Sequence, residues 1–263
     1  LKFKMVEKGE KIGVGLSGGK DSISCLYLLK KFTEKQGNEI VAIAVDEGIH
    51  GYRDKTLEEA KAFCKEQGIP LVITSYKKEF GFTLDEYLKK HKVNPCSVCG
   101  VLRRYVLNKA ARRLKADKLA TGHNLDDEAQ SILMNQLKGN IGLSAKLGPL
   151  TGVLMHAKFI PRLKPLYFMT EKETTIYSKV KGFHVSYNVC PNFGENFREQ
   201  VGSTLNALEA KFPGTKQGMV NSFLDILPEL RKRFKKGQIG VCRECGEPAA
   251  KTLCRACSIL DTS

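Results

Sequence analysis

Short apolar runs alternate with amphipathic stretches over the first half of the chain. Lys11 to Leu16 is short and apolar and stops at Ser17-Gly18-Gly19. That pattern predicts a buried strand followed by a turn. Ile23, Leu26, Tyr27, Leu28 and Leu29 then recur at helical spacing. Ile40 to Val45 predicts a second strand, residues 53 to 67 a helix, and Leu71 to Ser75 a third strand. Residues 100 to 115 predict a basic helix, Lys118 to Thr121 a short strand, and Asp126 to Leu137 another helix. Strands alternating with helices imply an α/β fold, a parallel sheet with helices on both faces. Ligands of such sheets gather beyond the carboxyl ends of the strands. Segments 17–22, 46–50 and 122–127 all lie just past predicted strand ends. Residues 139 to 165 carry many Gly and Pro and little periodicity, which predicts a long loop, whereas 194 to 234 read as helical. From about Gln238 the chain is Cys-rich and has no core of its own, so it divides into a body, 1–237, and a terminal module, 238–263.

Composition adds a partner and a metal. Of 263 residues, 42% are hydrophobic, enough to bury a core. No apolar run approaches the roughly 20 residues of a membrane helix, so no membrane association and a cytoplasmic location are expected. Lys plus Arg number 43 against 28 Asp plus Glu, a net charge of +15. Such an excess suits a polyanion, because basic side chains gain affinity by releasing counterions from phosphates. A lysine-rich soluble protein with no such partner is the competing explanation. The nine cysteines are odd in number, and six form three Cys-x-x-Cys pairs, at 96/99, 242/245 and 254/257. In a cytosolic chain that points to metal binding rather than to disulfides.

The segment Gly13-Val14-Gly15-Leu16-Ser17-Gly18-Gly19-Lys20-Asp21-Ser22 admits three readings. A Gly-x-Gly-x-x-Gly dinucleotide fingerprint would use Gly13, Gly15 and Gly18, but it needs a strand before its first glycine, and residues 7 to 11 are polar. A Walker A loop fails at Val14 and again at Asp21. The third reading is a Ser-Gly-Gly-x-Asp-Ser turn from strand to helix. Its glycines let backbone amides face an anion, and the helix N-terminus adds partial positive charge. Ser17 and Ser22 can donate hydroxyls and Lys20 adds charge, while Asp21 suits Mg²⁺ or orients the loop. The hexapeptide resembles the loop of the N-type ATP pyrophosphatases, which cleave ATP between the α and β phosphates.

The rest of the chain narrows that superfamily. Asn94-Pro95-Cys96-Ser97-Val98-Cys99-Gly100 is followed by Arg103 and Arg104, then by Thr121-Gly122-His123-Asn124-Leu125-Asp126-Asp127-Glu128-Ala129. Cys190-Pro191 comes later, and Cys242-x-x-Cys245 and Cys254-x-x-Cys257 close the chain. Leu205 to Glu209 and Phe212-Pro213-Gly214 belong to the same set. Together these resemble the TtuA and cytoplasmic tRNA 2-thiolation family, over essentially the whole chain. Two departures stand out. Members of that family usually begin with a further zinc-binding module, yet none of the 16 residues before Ser17 is Cys or His, so that module is expected to be absent from this sequence. Asn192 follows Cys190-Pro191 where the family commonly has Tyr.

The resemblance implies a tRNA-uridine 2-sulfurtransferase. ATP would adenylate the C2 oxygen of a uridine, and sulfur would then replace it with loss of AMP. Cys96, Cys99 and Cys190 resemble the family's three ligands of a [4Fe–4S] cluster, which leave one iron open to exogenous sulfide. A persulfide mechanism through Cys96 or Cys190, or a zinc or purely structural role, are the alternatives. Gly122 and Asp127 fit the family's nucleotide contacts, Asp127 with Mg²⁺ or the activated uridine. Val45 would touch adenine by family position. Arg103, one helical turn past Cys99, would reach the ATP phosphates or the AMP leaving group. Glu128 and Asp126 read as first-turn carboxylates, and His123 is the weakest candidate of its segment. Cys242, Cys245, Cys254 and Cys257 have zinc-ribbon spacing, and four thiolates make a closed structural Zn²⁺ site, expected to grip tRNA as a basic knob. Cys25 and Cys64 read as core.

The implied partners are tRNA and a sulfur donor, either sulfide or a thiocarboxylated ubiquitin-like protein, and a homodimer is expected. Plentiful Asn and Gln, including Asn38, Gln67, Asn135, Gln136 and Gln217, argue for a mesophile, and so for wobble uridine 34 over uridine 54 of thermophile tRNA. Two other classes compete. An ATP-dependent ligase such as a lysidine synthetase needs no cysteine trio. A non-catalytic zinc-bearing RNA-binding protein would not need Ser17, Gly18, Gly19, Asp21 and Ser22 intact.

Overall fold

The structure, a computed structural model, describes residues 3–151, 158–185, 187–194, 196–234 and 239–261. Its first half reads β1 (Lys11–Gly15), α1 (Lys20–Thr33), β2 (Glu39–Asp46), α2 (Arg53–Glu66), β3 (Leu71–Ser75), α3 (Tyr76–Phe80), α4 (Leu84–Lys90), α5 (Pro95–Arg113), β4 (Lys118–Thr121) and α6 (Leu125–Leu137). Then come α7 (Ile141–Ser144), β5 (Leu150–Thr151), β6 (Arg162–Leu163), α8 (Glu171–Val180), α9 (Phe197–Lys211) and α10 (Thr215–Phe234). A small hairpin, β7 (Gly240–Val241) with β8 (Pro248–Ala249), precedes α11 (Arg255–Leu260).

Six strands form one sheet in the order β3-β2-β1-β4-β6-β5. All neighbours pair in parallel except β5, which runs antiparallel to β6. The chain moves outward from β1 to β3 and then returns to the other side of β1 as β4. This reversal opens a crevice between the carboxyl ends of β1 and β4.

β1 shows why both faces must be covered. Ile12, Val14 and Leu16 point into one apolar cluster with Ile23 and Leu26 of α1 and Ala60 and Phe63 of α2. The alternate positions are glycines. A Cβ on Gly13 would stand 2.9 Å from Ile43 Cδ1, and one on Gly15 3.7 Å from Leu107 of α5. These two glycines therefore let the central strand pack closely under the helix layer on its other face. They lie inside the strand and outside the turn, which removes the dinucleotide-fingerprint reading.

The expectations need adjustment in four places. The cysteine helix starts at Pro95 and not near 100, because Asn94 caps it by accepting from the Ser97 amide and Pro95 occupies its first turn. Residues 139–165 are not simply a loop: α7, β5 and β6 lie there, each too short to show periodicity, and 152–157 fall outside the described residues. The sequence reading passed over α3, α4 and α8. The 194–234 stretch is two helices broken at Phe212-Pro213-Gly214, packed with α6 through Val201, Leu205, Val220, Phe223 and Leu227.

The terminal module borrows a core. Its proposed boundary at Gln238 lies outside the described residues. Beyond it, Cys242, Ala249, Cys254 and Ala256 are buried in one cluster with Val98, Leu102 and Val106 of α5. The Tyr87 hydroxyl donates to the Ile259 carbonyl at 3.1 Å, and Arg112 pairs with Glu247. The module is thus docked along the cysteine helix and does not stand apart as a knob.

Candidate functional site

The phosphate loop is wound tightly at the carboxyl end of β1. The Ser22 hydroxyl donates to the Gly19 carbonyl at 2.9 Å and accepts from the Ser17 hydroxyl at 3.0 Å and the Ser17 amide at 3.1 Å. Gly18 has φ +89°, and a Cβ there would lie 2.2 Å from the Thr56 carbonyl oxygen. Only glycine fits this position. No side chain caps the start of α1 at Gly19. Its first amides and its positive dipole end are therefore available to an anion.

Asp21 sits at the junction of three elements. Its Oδ1 accepts from the Thr174 hydroxyl of α8 at 2.6 Å and from Asn124 Nδ2 at 3.4 Å. Its Oδ2 accepts from Lys20 Nζ at 2.9 Å, and Lys20 also reaches Glu171 at 3.0 Å. Burial alone would lower the Lys20 pKa, but Asp21 and Glu171 outweigh it and hold the ammonium above its ordinary value. Gly122, at the end of β4, lies against the backbone of this segment. A Cβ there would stand 2.8 Å from the Asp21 carbonyl and from the Ser22 amide nitrogen. The close approach that Gly122 permits is therefore to the phosphate-loop helix.

The β4–α6 turn supplies a second carboxylate. Asn124 and Asp127 form a reciprocal capping box, Asp127 N to Asn124 Oδ1 at 3.1 Å and Asn124 N to Asp127 Oδ2 at 3.2 Å. Arg198 of α9 approaches Asp127 Oδ1 to 3.6 Å and donates to the Asp127 carbonyl at 3.2 Å. Desolvation raises the Asp127 pKa and outweighs Arg198, and the like charge of Asp21 adds to the rise. Two carboxylates brought together in one crevice suit a divalent cation. Asp126 and Glu128 are more than first-turn charges. Asp126 accepts from the Glu171 amide at 2.7 Å and pairs with Lys216, while buried Glu128 pairs with Lys164.

The three cysteines approach from two directions. Cys96 and Cys99 stand on the first two turns of α5, and Cys190 follows α8. Burial together with Cys99 and Cys96 pushes the Cys190 thiol up, against the Asn192 amide and Arg103. Arg103 Nη2 donates to Cys99 Sγ at 3.2 Å, and the Tyr76 hydroxyl donates to the Cys99 carbonyl at 2.8 Å. The trio is all sulfur, with Cys96 exposed and Cys190 half-buried, a donor set that fits an iron–sulfur cluster. Beside Cys190 lies a cleft of about 250 Å³ lined by His50, Tyr52, Lys55 and Pro191.

Val45 is 2% exposed and its side chain is core. Its carbonyl accepts from Arg53 Nε at 2.7 Å. Arg53 Nη1 also reaches the Ser17 carbonyl at 2.5 Å, and Arg53 Nε pairs with Glu47 Oε2 at 2.9 Å. Glu47 Oε1 in turn pairs with Arg103 Nε at 3.2 Å. Sequence reading missed Glu47 and Arg53. Their signal was position alone, just past the end of β2.

Around His123 the charge is one-sided. Desolvation and the cations Lys164, Arg198, Arg162 and Arg104 hold its imidazole below the ordinary histidine range, and Nδ1 faces Thr121 Oγ1 at 2.8 Å. Burial and the neighbouring Arg104 lower Arg162 to about 10. Arg104, which follows the first cysteine pair, lies close to both His123 and Arg162. Arg162 and Lys164 were hidden in the stretch expected to be a loop.

Cys242, Cys245, Cys254 and Cys257 bring their sulfurs within 4.8 Å of one another, the one such metal-ligand group among the described residues. Cys245 and Cys254 Sγ stand 3.6 Å apart. A tetrahedron with Zn–S near 2.3 Å has edges of about 3.8 Å, so the set fits Zn²⁺.

The PP-loop domain family model ATP_bind_3 matches residues 1–188. The chain is 36% identical to the tRNA 2-thiolation protein NcsA of Haloferax volcanii, over 95% of this chain and 81% of that protein. It is 38% identical to the tRNA-5-methyluridine(54) 2-sulfurtransferase of Pyrococcus horikoshii, over 97% and 80%. Among solved structures it is similar to the U34-tRNA thiolase NcsA of Methanococcus maripaludis with its [4Fe–4S] cluster, at 36% identity and TM-score 0.82, covering 97% of this chain and 82% of that one. By the family model over residues 1–188 and these relatives over nearly its whole length, the chain belongs to the PP-loop domain family and, within it, to the tRNA 2-thiolation sulfurtransferases.

Proposed function

We infer that the chain is an ATP-dependent tRNA-uridine 2-sulfurtransferase. The observation that carries this reading is the contact between Arg103 and Cys99, because it joins the sulfur side of the crevice to the nucleotide side. The uridine O2 attacks the α-phosphorus of ATP and pyrophosphate leaves. Sulfide then adds at C2, the C2–O bond breaks, and AMP leaves. The open amides of α1 with Ser17, Gly18, Gly19, Lys20 and Ser22 would hold the β and γ phosphates. Asp21 and Asp127 are the natural ligands of Mg²⁺, which offsets charge on the phosphates. Cys96, Cys99 and Cys190 would hold the [4Fe–4S] cluster, which supplies an iron free of protein ligands for binding sulfide. Arg103 would steady the negative charge that builds up as AMP departs. With the Val45 carbonyl taken by Arg53, adenine would meet the end of β2 through neighbouring backbone.

Cys242, Cys245, Cys254 and Cys257 would hold Zn²⁺ and brace α5. The cations Arg104, Arg162 and Arg198 support tRNA phosphate as the bound polyanion. We propose wobble uridine 34 as the target, supported by the U34 thiolase among similar structures and by the Asn and Gln content. Sulfide or a thiocarboxylated ubiquitin-like protein is the proposed donor, a homodimer the proposed assembly, and the cytoplasm the proposed location. The test is nucleoside mapping of tRNA incubated anaerobically with the chain, ATP and sulfide. 2-Thiouridine at 34 is expected. Sulfur at 54 with 34 untouched overturns the position and keeps the chemistry, and no 2-thiouridine at all overturns the assignment.

A further inference from the structure

Three charged side chains, Arg53, Glu47 and Arg103, form a row that ends on the Cys99 thiol. Arg53 is 4% exposed and holds the Ser17 and Val45 carbonyls, one from the phosphate loop and one from the end of β2. Glu47, also 4% exposed, divides its two oxygens, Oε2 to Arg53 at 2.9 Å and Oε1 to Arg103 at 3.2 Å. Arg103 then meets Cys99 Sγ at 3.2 Å. A buried carboxylate shared by two guanidiniums is costly unless both partners stay in place. Removing its charge leaves the two guanidiniums of Arg53 and Arg103 without the carboxylate between them. The Arg103 side chain is 45% exposed, so without Glu47 its direction would rest on the single contact to Cys99.

We propose that Glu47 is a positioning residue that ties the phosphate loop to the Cys99 sulfur through Arg53 and Arg103, so that filling the nucleotide site resets the environment of that sulfur. The proposal rests on the thiolase reading above for the roles of the two ends. Ser17 is the mechanical input: its carbonyl is fixed by Arg53, and its amide and hydroxyl are fixed by Ser22. A phosphate drawn onto the loop displaces the Ser17 carbonyl, and buried ion pairs pass on such a shift because they lack room to absorb it.

The test uses the full chain freed of iron and kept reduced. Cys99 alkylation by iodoacetamide is followed by peptide mass spectrometry, with and without Mg-ATP, while ATP binding is measured separately by calorimetry. In the unmodified chain ATP is expected to change the Cys99 rate at least about 3-fold. In Glu47→Gln, ATP should still bind but the Cys99 response should vanish. Arg103→Gln, a change at a half-exposed side chain, should lose the response in the same way and guards against a Glu47 variant that does not fold. Combining the two changes should cost no more than Arg103→Gln alone in 2-thiouridine formation by the loaded enzyme. A Cys99 response that persists in both variants, or that is missing from the unmodified chain while ATP binds, overturns the coupling. If the unmodified chain binds no ATP, the thiolase reading itself fails.

Discussion

Gly122→Ala isolates what the crevice needs from what the fold needs. The added Cβ would lie 2.8 Å from the Asp21 carbonyl carbon and oxygen and from the Ser22 amide nitrogen, all backbone atoms. Gly122 is not among the positive-φ glycines, so the cost is steric and not conformational. Contact at that range requires β4 and the start of α1 to part by several tenths of an ångström. Forced overpacking of this kind costs about 1 to 3 kcal/mol. In a chain of this size that lowers the melting temperature by about 2 to 4 °C per kcal/mol. The displaced atoms belong to the segment that carries Asp21 and the open amides, so nucleotide binding should suffer more than stability. We expect at least a 10-fold loss of ATP affinity, about 1.4 kcal/mol, in calorimetry at 20 °C below the melting point. Gly13→Ala is the control. Its Cβ would meet the Ile43 Cδ1 methyl at 2.9 Å, a side-chain end that can turn aside, on the far face of the sheet. It should cost comparable or less stability and leave ATP affinity within about 2-fold. Wild-type ATP affinity in Gly122→Ala, or equal losses in both variants, refutes the reasoning.

Asp21→Asn keeps an acceptor for Thr174 and removes the charge, so adenylation of tRNA should fall at least about 100-fold with little change in melting temperature; pyrophosphate release at the native rate would rule out a Mg²⁺ role. Replacing Cys96, Cys99 or Cys190 by Ser should abolish iron binding and leave zinc, while Cys242→Ser should abolish zinc and lower stability, as read by elemental analysis of anaerobically purified protein; iron retained in all three former variants would dismiss that trio as cluster ligands. His123 is held neutral by desolvation and by the cations around it, so between about pH 5.5 and 8 the rate profile of His123→Asn should run parallel to that of the native chain. Because its folded pKa is lowered, any stability it contributes is full above its unfolded pKa and is lost as pH falls below that value; a new inflection of rate near pH 6.5 tied to His123 would contradict its neutrality.

The sequence was most legible where one strand or helix carries its own signature. The strands from Lys11, Ile40, Leu71 and Lys118 lie close to where apolar runs placed them, because the inner three carry continuous buried positions and β3, at the edge, is still a short apolar run. The phosphate turn was legible because Gly18 needs a positive φ beside Thr56, and few other residues could satisfy that. The crevice's supports were not legible, because they come from far along the chain. Thr174 meets Asp21 across 153 residues, Arg198 meets Asp127, and Lys164 meets Glu128, all by tertiary packing that leaves no local periodicity. β6 was invisible for another reason: two residues cannot display a pattern, and only their pairing with Leu119 and Ala120 defines them.

The docking of the terminal module on α5 has a consequence for how the molecule matures. Tyr87 and Ile259 are bonded across 172 residues, and Arg112 meets Glu247 across 135. Contacts of such span form late, since the chain must close a long loop before they repay its entropy. Until then the cluster around Val98, Leu102 and Val106 of α5 lacks the part of its cover that Cys242, Ala249, Cys254 and Ala256 supply. Zinc capture by Cys242, Cys245, Cys254 and Cys257 would draw the hairpin and α11 into one body and so complete that cover. The supply of one metal would then govern when the helix that presents Cys96 and Cys99 becomes rigid enough to receive another. In a zinc-starved cell the chain should accumulate as a species that is synthesised in full, retains its sheet, and is slow to take up iron.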